Sequence, residues 1–307
     1  MTRAVPPILD AHHHFWDLSG PGGHYPWLQD AYNPDFFLGD YHGMLHDFEP
    51  AQYRAATAGY EVRGTVHMEA ERARDEQLAE TAYLTELNER TGLPTAVVGH
   101  VYFTQPDRDE VLAGHAANPL VRGIRSKPVT SSGPGESVAG TPGSMQDPAW
   151  RAGFERLAAH GFSWDLRVSY WHLAEAAEVV AEHPEIPVVV NHCGLPLDRS
   201  DEGLAAWRTG MAALAANDHV AVKVSELGLP DGRWDRASNI TVIRDTVRIF
   251  GFDRAMFASN LPVSGLSTTF DELVDTVLAA LPEATDDQLA MLFAGTAARF
   301  YRIGDAL

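Results

Sequence analysis

Apolar and polar positions along this chain fall into a repeating two-part pattern. Short apolar runs lie at residues 8–16, 64–70, 95–103, 121–127, 162–168, 187–193, 220–226 and 254–260. Stretches with helical spacing lie near 50–58, 75–91, 107–117, 148–160, 172–183, 201–217, 236–250 and 267–281, and a last one near 285–300. Between Asp75 and Thr91 the residues Ala79, Ala82, Tyr83 and Leu87 recur at helical spacing, with no interrupting Gly or Pro. Val188-Val189-Val190 is the continuous β-branched run of a strand buried on both faces. Pro187 just before it suits a strand's first position, where a missing N–H does least harm.

Strand followed by helix, repeated eight times, predicts a parallel sheet in an α/β protein. Eight such units in about 290 residues fit a (β/α)8 TIM barrel. An open doubly wound sheet would begin with a Gly-rich turn, and Asp17-Leu18-Ser19-Gly20-Pro21-Gly22-Gly23 contains no G-x-G-x-x-G. No linker or internal repeat divides the chain, so a single domain over residues 1–307 is expected. Two βα loops are long for a compact domain. The loop after strand one, Asp17 to Asp47, carries His24, Tyr25, Trp27, Tyr32, Phe36, Phe37 and Tyr41 and reads as a packed lid over the barrel mouth. The loop after strand four, Thr130 to Gln146, is rich in Gly, Ser and Pro and reads as a mobile flap or a disordered segment.

Composition narrows the partners. A formal net charge of -19 argues against nucleic acid and anionic membranes, which need a basic face. A small molecule is the expected partner, and an anionic one stays open because a few cations can dominate inside a pocket. Composition sets no oligomeric state. Cys193 is the sole cysteine, which rules out an intramolecular disulfide and a multi-cysteine metal site. It reads as a small buried apolar residue. The opening Met1-Thr2-Arg3-Ala4-Val5-Pro6-Pro7 lacks a signal-peptide apolar stretch, and no run approaches the ~18 apolar residues of a membrane span. A cytoplasmic protein is expected.

Barrel enzymes gather their chemistry at the carboxyl ends of the strands. Strand one ends in Asp10-Ala11-His12-His13-His14-Phe15-Trp16, and strand alternation points Asp10, His12, His14 and Trp16 the same way. Strand two supplies His67 and Glu69, strand three His100 and Tyr102, and strand four Arg125 and Lys127. Strand five supplies Asp165 and Arg167, followed by His172. Strand six ends in Asn191-His192-Cys193. Strand seven carries Lys223 and Ser225 on one face and Glu226 on the other, and strand eight ends in Ser259-Asn260. His100 reads as a core histidine, and Glu69 has Arg125 or Lys127 as structural partners. Charges on otherwise apolar strands are costly to bury without partners or function, and here they recur on most strands. A nucleophile elbow, a Walker loop and an H-E-x-x-H helix are all missing.

These residues resemble the amidohydrolase superfamily, in the amidohydrolase-2 group of sugar lactonases and 2-pyrone-4,6-dicarboxylate lactonase. Asp10-Ala11-His12-His13-His14-Phe15-Trp16-Asp17 is similar to the group's D-A-H-x-H-F-W-D, and Tyr25-Pro26-Trp27-Leu28 to its Y-P-W-L. Val66-His67-Met68-Glu69-Ala70 is similar to its second-strand motif, and Val121-Arg122-Gly123-Ile124-Arg125 to its V-x-G-I-R. Phe162-Ser163-Trp164-Asp165-Leu166 with His172-Leu173 resembles its fifth unit. Asn191-His192-Cys193-Gly194-Leu195-Pro196 resembles its D-H-x-G-x-P, and Lys223-Val224-Ser225 its K-x-S. The match runs in order along nearly the whole chain.

The resemblance implies a (β/α)8 barrel that opens lactones, with decarboxylases in related branches. It implies His12, His14, His192 and the position of Asn260 as the central set, with one divalent ion such as zinc on His12, His14 and His192, or none. Ser259-Asn260-Leu261-Pro262-Val263 departs from the family's S-D-W-P-V. A neutral amide has no acid–base capacity, and the case for a metal loses an anionic ligand. Glu69 and Asp165 are then the nearest carboxylates for proton transfer, with His172 as a further base. His12 and His14 would polarise a carbonyl. His192 and Lys223 would bind substrate or steady an oxyanion. Arg125, Lys127 and Arg167 would hold carboxylates, and His172 and Trp16 would add substrate contacts. The expected activity is hydrolysis of a small, anionic cyclic ester or related carbonyl compound. The rivals are a decarboxylase and a non-catalytic ligand-binding barrel.

Overall fold

The structure, a computed structural model, describes residues 4–20, 23–34, 36 and 38–304, so Phe37 of the first long loop lies outside the described residues. Eight strands form one sheet in sequential order: β1 (Ile8–His13), β2 (Val62–Met68), β3 (Ala96–His100), β4 (Val121–Arg125), β5 (Ser163–Leu166), β6 (Val188–Val190), β7 (Val220–Val224) and β8 (Ala255–Phe257). Every neighbouring pair from β1 to β8 is parallel. The ring closes between the residues just past β8 and the end of β1. The Asn260 N–H donates to the His12 carbonyl at 2.7 Å, and the His14 N–H to the Leu261 carbonyl at 2.8 Å. This is the expected (β/α)8 barrel.

Helices fall where the spacing places them, including Gln77–Thr91, Pro148–His160, Asp201–Ala215 and Arg236–Phe250. Asp147, Ser200 and Asp235 cap the last three by accepting a first-turn backbone N–H, which satisfies a donor that has no partner inside the helix. No helix among the described residues is long and apolar enough to cross a membrane.

Each strand is buried on two sides, which explains the unbroken apolar runs. Leu9, Ala11, Val66, Met68, Val98, Val189 and Ala221 form an inner cluster joined by Tyr301 of the closing segment. Ile8, Val97, Ile124, Val188, Val190, Val222 and Val224 face the helices in a larger outer core. All eight observed strands end earlier than the apolar runs. The reason is local. The last residues of those runs carry polar groups and leave the ladder, and His192, Cys193, Glu226 and Asn260 do so with φ of 59°, 51°, 47° and 55°. That is left-handed backbone no β ladder accepts.

The first strand corrects the expected shared face. A bulge between Asp10 and His13 shifts the alternation by one residue. Asp10 therefore turns to the helix side, where it accepts from the Tyr53 hydroxyl at 2.8 Å and from the Ser259 backbone at 2.8 Å. His12 stays inside, while His13 packs outward against Phe15 and Tyr53 with ring centroids 4.2 and 5.1 Å away.

The first long loop is folded, with a short helix at Pro26–Gln29 and a 3-10 turn at His42–Met44. Trp27 donates its indole N–H to the Ala70 carbonyl at 2.9 Å, which pulls the loop across the barrel mouth. The second long loop is tied down: the Val129 N–H donates to Gly143 at 2.8 Å, and the Ser131 N–H to His172 Nε2 at 2.9 Å.

Candidate active site

A cavity of about 250 Å³ opens at the carboxyl ends of the strands. His14, Arg125, Lys127, Arg167, His192 and Asn260 line it from the barrel, Trp27, Asn33 and Phe36 from the first loop, and Ala70, Glu71 and Val263 from later strand ends. Six residues read as functional from the sequence thus meet in one place.

The histidines at its floor are neutral. Burial pushes His12, His14 and His192 well below the usual imidazole range, and the nearby Lys223, Arg125 and Arg167 push them the same way. Their hydrogen bonds fix which nitrogen carries the proton. A carbonyl only accepts, so His14 donates from Nδ1 to Met68, 2.8 Å away, and keeps a lone pair on Nε2. The ammonium of Lys223 stands 3.5 Å from His12 Nδ1 and can only donate. The hydrogen of His12 therefore sits on Nε2, which is buried and has no hydrogen-bond partner among the described residues. The His192 ring lies 4.6 Å from that of His12, and its Nδ1 is 3.0 Å from the Ser225 hydroxyl.

Lys223 is fully buried beneath these rings. Burial lowers its pKa to about 8, against the pull of Asp165. Asp165 binds Lys223 at 2.5 Å, Asn191 at 2.9 Å and the Tyr301 hydroxyl at 3.0 Å. Its carboxylate is thus occupied inside the barrel floor, away from the cavity.

The expected cations arrive with partners. Arg125 grips Glu69 through Nε and donates from a second nitrogen to the Glu69 carbonyl at 2.6 Å. Burial alone would raise the Glu69 carboxyl, but Arg125, His100 and Lys127 hold it well below the usual range. Lys127 pairs with Glu71 at the rim. Burial lowers Lys127 to about 8 and Arg167 to about 10. Arg125 and Lys127 thus reach the cavity as members of ion pairs, and the pairing of Arg125 with Glu69 is the one the sequence offered.

Three expected substrate contacts lie outside the cavity lining, Lys223 beneath the rings and two more farther off. Trp16 is fully buried behind His14, where it donates to the His46 carbonyl at 2.8 Å, and Trp27 takes the place at the cavity wall. His172 is bound between Ser131 and Glu175, and the Glu175 contact is 2.8 Å. It anchors the second long loop and does not line the cavity.

Glu226 is the residue sequence alternation misplaced. Its left-handed backbone turns the carboxylate back toward Asn260, whose side-chain amide donates to it. Burial pushes the Glu226 carboxyl up to about 7, opposed by Asn260, the Gly228 backbone and Arg167. Glu226 Oε1 and Asn260 Oδ1 are both buried without hydrogen-bond partners among the described residues. Non-glycine left-handed residues cost about 1–3 kcal/mol each and gather at functional sites. Glu71, His192, Glu226 and Asn260, from four different strand ends, all belong to this set.

Comparison with known proteins gives the same address. The chain matches the amidohydrolase family over residues 9–303 and belongs to it. It is 31% identical to an uncharacterised protein of Sinorhizobium fredii over 96% of this chain and 98% of that one. It is 27% identical to an L-fucono-1,5-lactonase of Burkholderia ambifaria, covering 96% of this chain and 95% of that enzyme. The fold superposes on a crystal structure of an amidohydrolase from Burkholderia multivorans with bound HEPES, at a TM-score of 0.79 and 26% identity, covering 97% and 99% of the two chains. A second crystal form of that amidohydrolase holds zinc. The chain is therefore an amidohydrolase-family enzyme, of the hydrolase type.

Proposed function

We propose that this enzyme opens the ring ester of a small sugar-acid lactone, and that it does so without a resident metal. The observation that carries the reading is the convergence on one cavity of a neutral His14 lone pair, His192, Asn260 and ion-paired cations. The Lys127–Glu71 pair offers donors and acceptors together at the cavity wall, which suits ring hydroxyls better than a bare anion. The lactone relative supports the same substrate class. About 250 Å³ is the scale of a single sugar ring.

Hydrolysis needs an oriented water and donors where the oxyanion develops. His14 Nε2 accepts a hydrogen bond from the water. The water oxygen attacks the ring carbonyl, and the Arg125, Lys127 and Arg167 side of the cavity receives the oxyanion. His14 Nε2 takes the water's proton during the attack, the ring C–O bond then breaks, His14 returns that proton to the ring oxygen, and a hydroxy acid leaves. His12, held by Lys223, sets the position of the His14 and His192 rings.

A divalent ion on His12, His14 and His192 fits these residues poorly. An ammonium faces Nδ1 of His12, so a lone pair on its Nε2 would place two donors head to head. The neutral Asn260 supplies no anionic ligand, and the described residues contain no grouping of three or more His, Cys, Asp or Glu arranged for a metal.

A lactone panel read by acid release tests the proposal, with L-fucono-1,5-lactone and other sugar lactones set against lactones bearing ring carboxylates. Turnover of neutral sugar lactones, retained after chelation, is the expected result. Activity confined to carboxylated lactones overturns the substrate class. Loss on chelation with recovery on zinc overturns the metal-free chemistry. His14→Ala should lower kcat about 100-fold, typical of a lost proton-handling group.

A further inference from the structure

The ends of β7 and β8 hold a pair, Asn260 and Glu226, whose joint chemistry the proposed hydrolysis leaves unassigned. Asn260 lines the cavity, and Glu226 stands behind it, 3% exposed and outside the lining. The two side chains meet through the Asn260 Nδ2 hydrogens and the Glu226 Oε2. Once ionised, above about 7, the carboxylate only accepts, and it then holds the amide with its NH2 edge turned back. The amide oxygen is then the atom left over, and Asn260 Oδ1 is buried with no partner among the described residues. Both residues also hold left-handed backbone, at φ 47° and 55°, which the surrounding structure must maintain. Gly228 lies close to the carboxylate: a Cβ added there would lie 3.2 Å from Glu226 Oε1 and 2.7 Å from the Ser267 hydroxyl.

We propose that Glu226 is a positioning residue that makes Asn260 a hydrogen-bond acceptor for the attacking water, with the negative charge kept behind the amide and out of the cavity. A carboxylate placed directly in the cavity would bind and compete with the oxyanion-stabilising cations. An amide oxygen backed by a charge offers a polarised acceptor without that competition. Glu226 is buried, so little solvent shares in this arrangement.

The inference rests on the lactone reading for its turnover assay, and a double-mutant cycle tests it. Glu226→Gln leaves the amide free to turn over and should lower kcat 10- to 100-fold, the usual scale for a lost supporting contact, with KM little changed. Asn260→Asp sets two carboxylates face to face and should lower both kcat and Tm. The double variant Glu226→Gln, Asn260→Asp restores a rear donor and a front oxygen, and should recover kcat to within about tenfold of wild type and most of the Tm lost in Asn260→Asp. Losses that simply add overturn the proposal. So does recovery of Tm without recovery of kcat, which would mean a purely structural pair, and so does a loss confined to KM, which would assign the acceptor to a substrate hydroxyl. If wild type opens no lactone, the lactone reading fails by itself. The Tm cycle then still decides whether the two groups act as one unit, and additive shifts overturn it.

Discussion

On the β2 to β4 side of the cavity the charged side chains come in pairs, Arg125 with Glu69 and Lys127 with Glu71. On the β6 to β8 side the groups are neutral imidazole, amide and a carboxyl raised by burial, and buried polar atoms of Glu226 and Asn260 are left without partners. Left-handed residues also crowd the second side, at His192, Cys193, Leu195, Glu226 and Asn260, while Glu71 is the one from the first side. A satisfied ion pair is a finished interaction, and an unpartnered acceptor beside a cavity waits for a ligand. Under the proposed hydrolysis, bracing and electrostatics fall to the first half, and the second joins His14 in holding the water.

The sharpest way to break the contrast is Arg125→Met. If the first half is a brace, this leaves the buried Glu69 charge alone, and unfolding in denaturant should show a loss of about 3–5 kcal/mol. Replacing Glu69 by Gln in the same protein should recover most of it. An unchanged stability would mean that the pair braces nothing.

The second half should reveal itself through pH. Glu226 is raised from 4.5 to about 7, so the folded protein holds a proton there that the unfolded chain has released. Its stabilising contribution is full below about 4.5 and is lost as pH rises toward 7. Glu226→Gln should therefore gain on wild type across that window, by about 1.4 kcal/mol for each pKa unit of the raise. The groups facing Glu226 are Asn260, Arg167 and the Gly228 backbone. Glu80, also pushed up to about 7 by burial, titrates in both proteins and cancels in the difference. Parallel stability–pH curves would remove Glu226 from the titrating set.

The smallest effect is expected at the rim. Lys127 and Glu71 are 28% and 46% exposed, and pairs this open to water contribute about 0–1 kcal/mol. Lys127→Met should leave Tm within a degree or two of wild type, and a large drop would move that pair from rim to brace.

Much of this architecture was legible in the sequence, for a physical reason. Strands buried on both faces must be apolar throughout, so Val188–Val190 and its counterparts stand out, and the polar residues that follow mark the mouth. His14, Arg125, Lys127, Arg167, His192 and Asn260 were found that way. What failed was alternation at the places where the backbone leaves the regular strand. The bulge in β1 turned Asp10 away from His12, and the left-handed turn at Glu226 brought a side chain counted as outward back to Asn260. Trp16 and His172 failed for another reason. Their partners, His46 and Ser131, belong to long loops whose return path no local pattern records.

The seam between the first and last strands has a kinetic meaning. Asp10 and Ser259 meet across 249 residues of chain, and the Asn260 N–H reaches the His12 carbonyl across the same join. Contacts this distant in sequence form late, because the loop-closure entropy must be met before they contribute. His12 and Asn260 are brought together only when the ring shuts. A chain that stops short of β8 lacks Ser259 and Asn260 and so has no assembled site. The return of activity during refolding would therefore time the joining of β8 to β1.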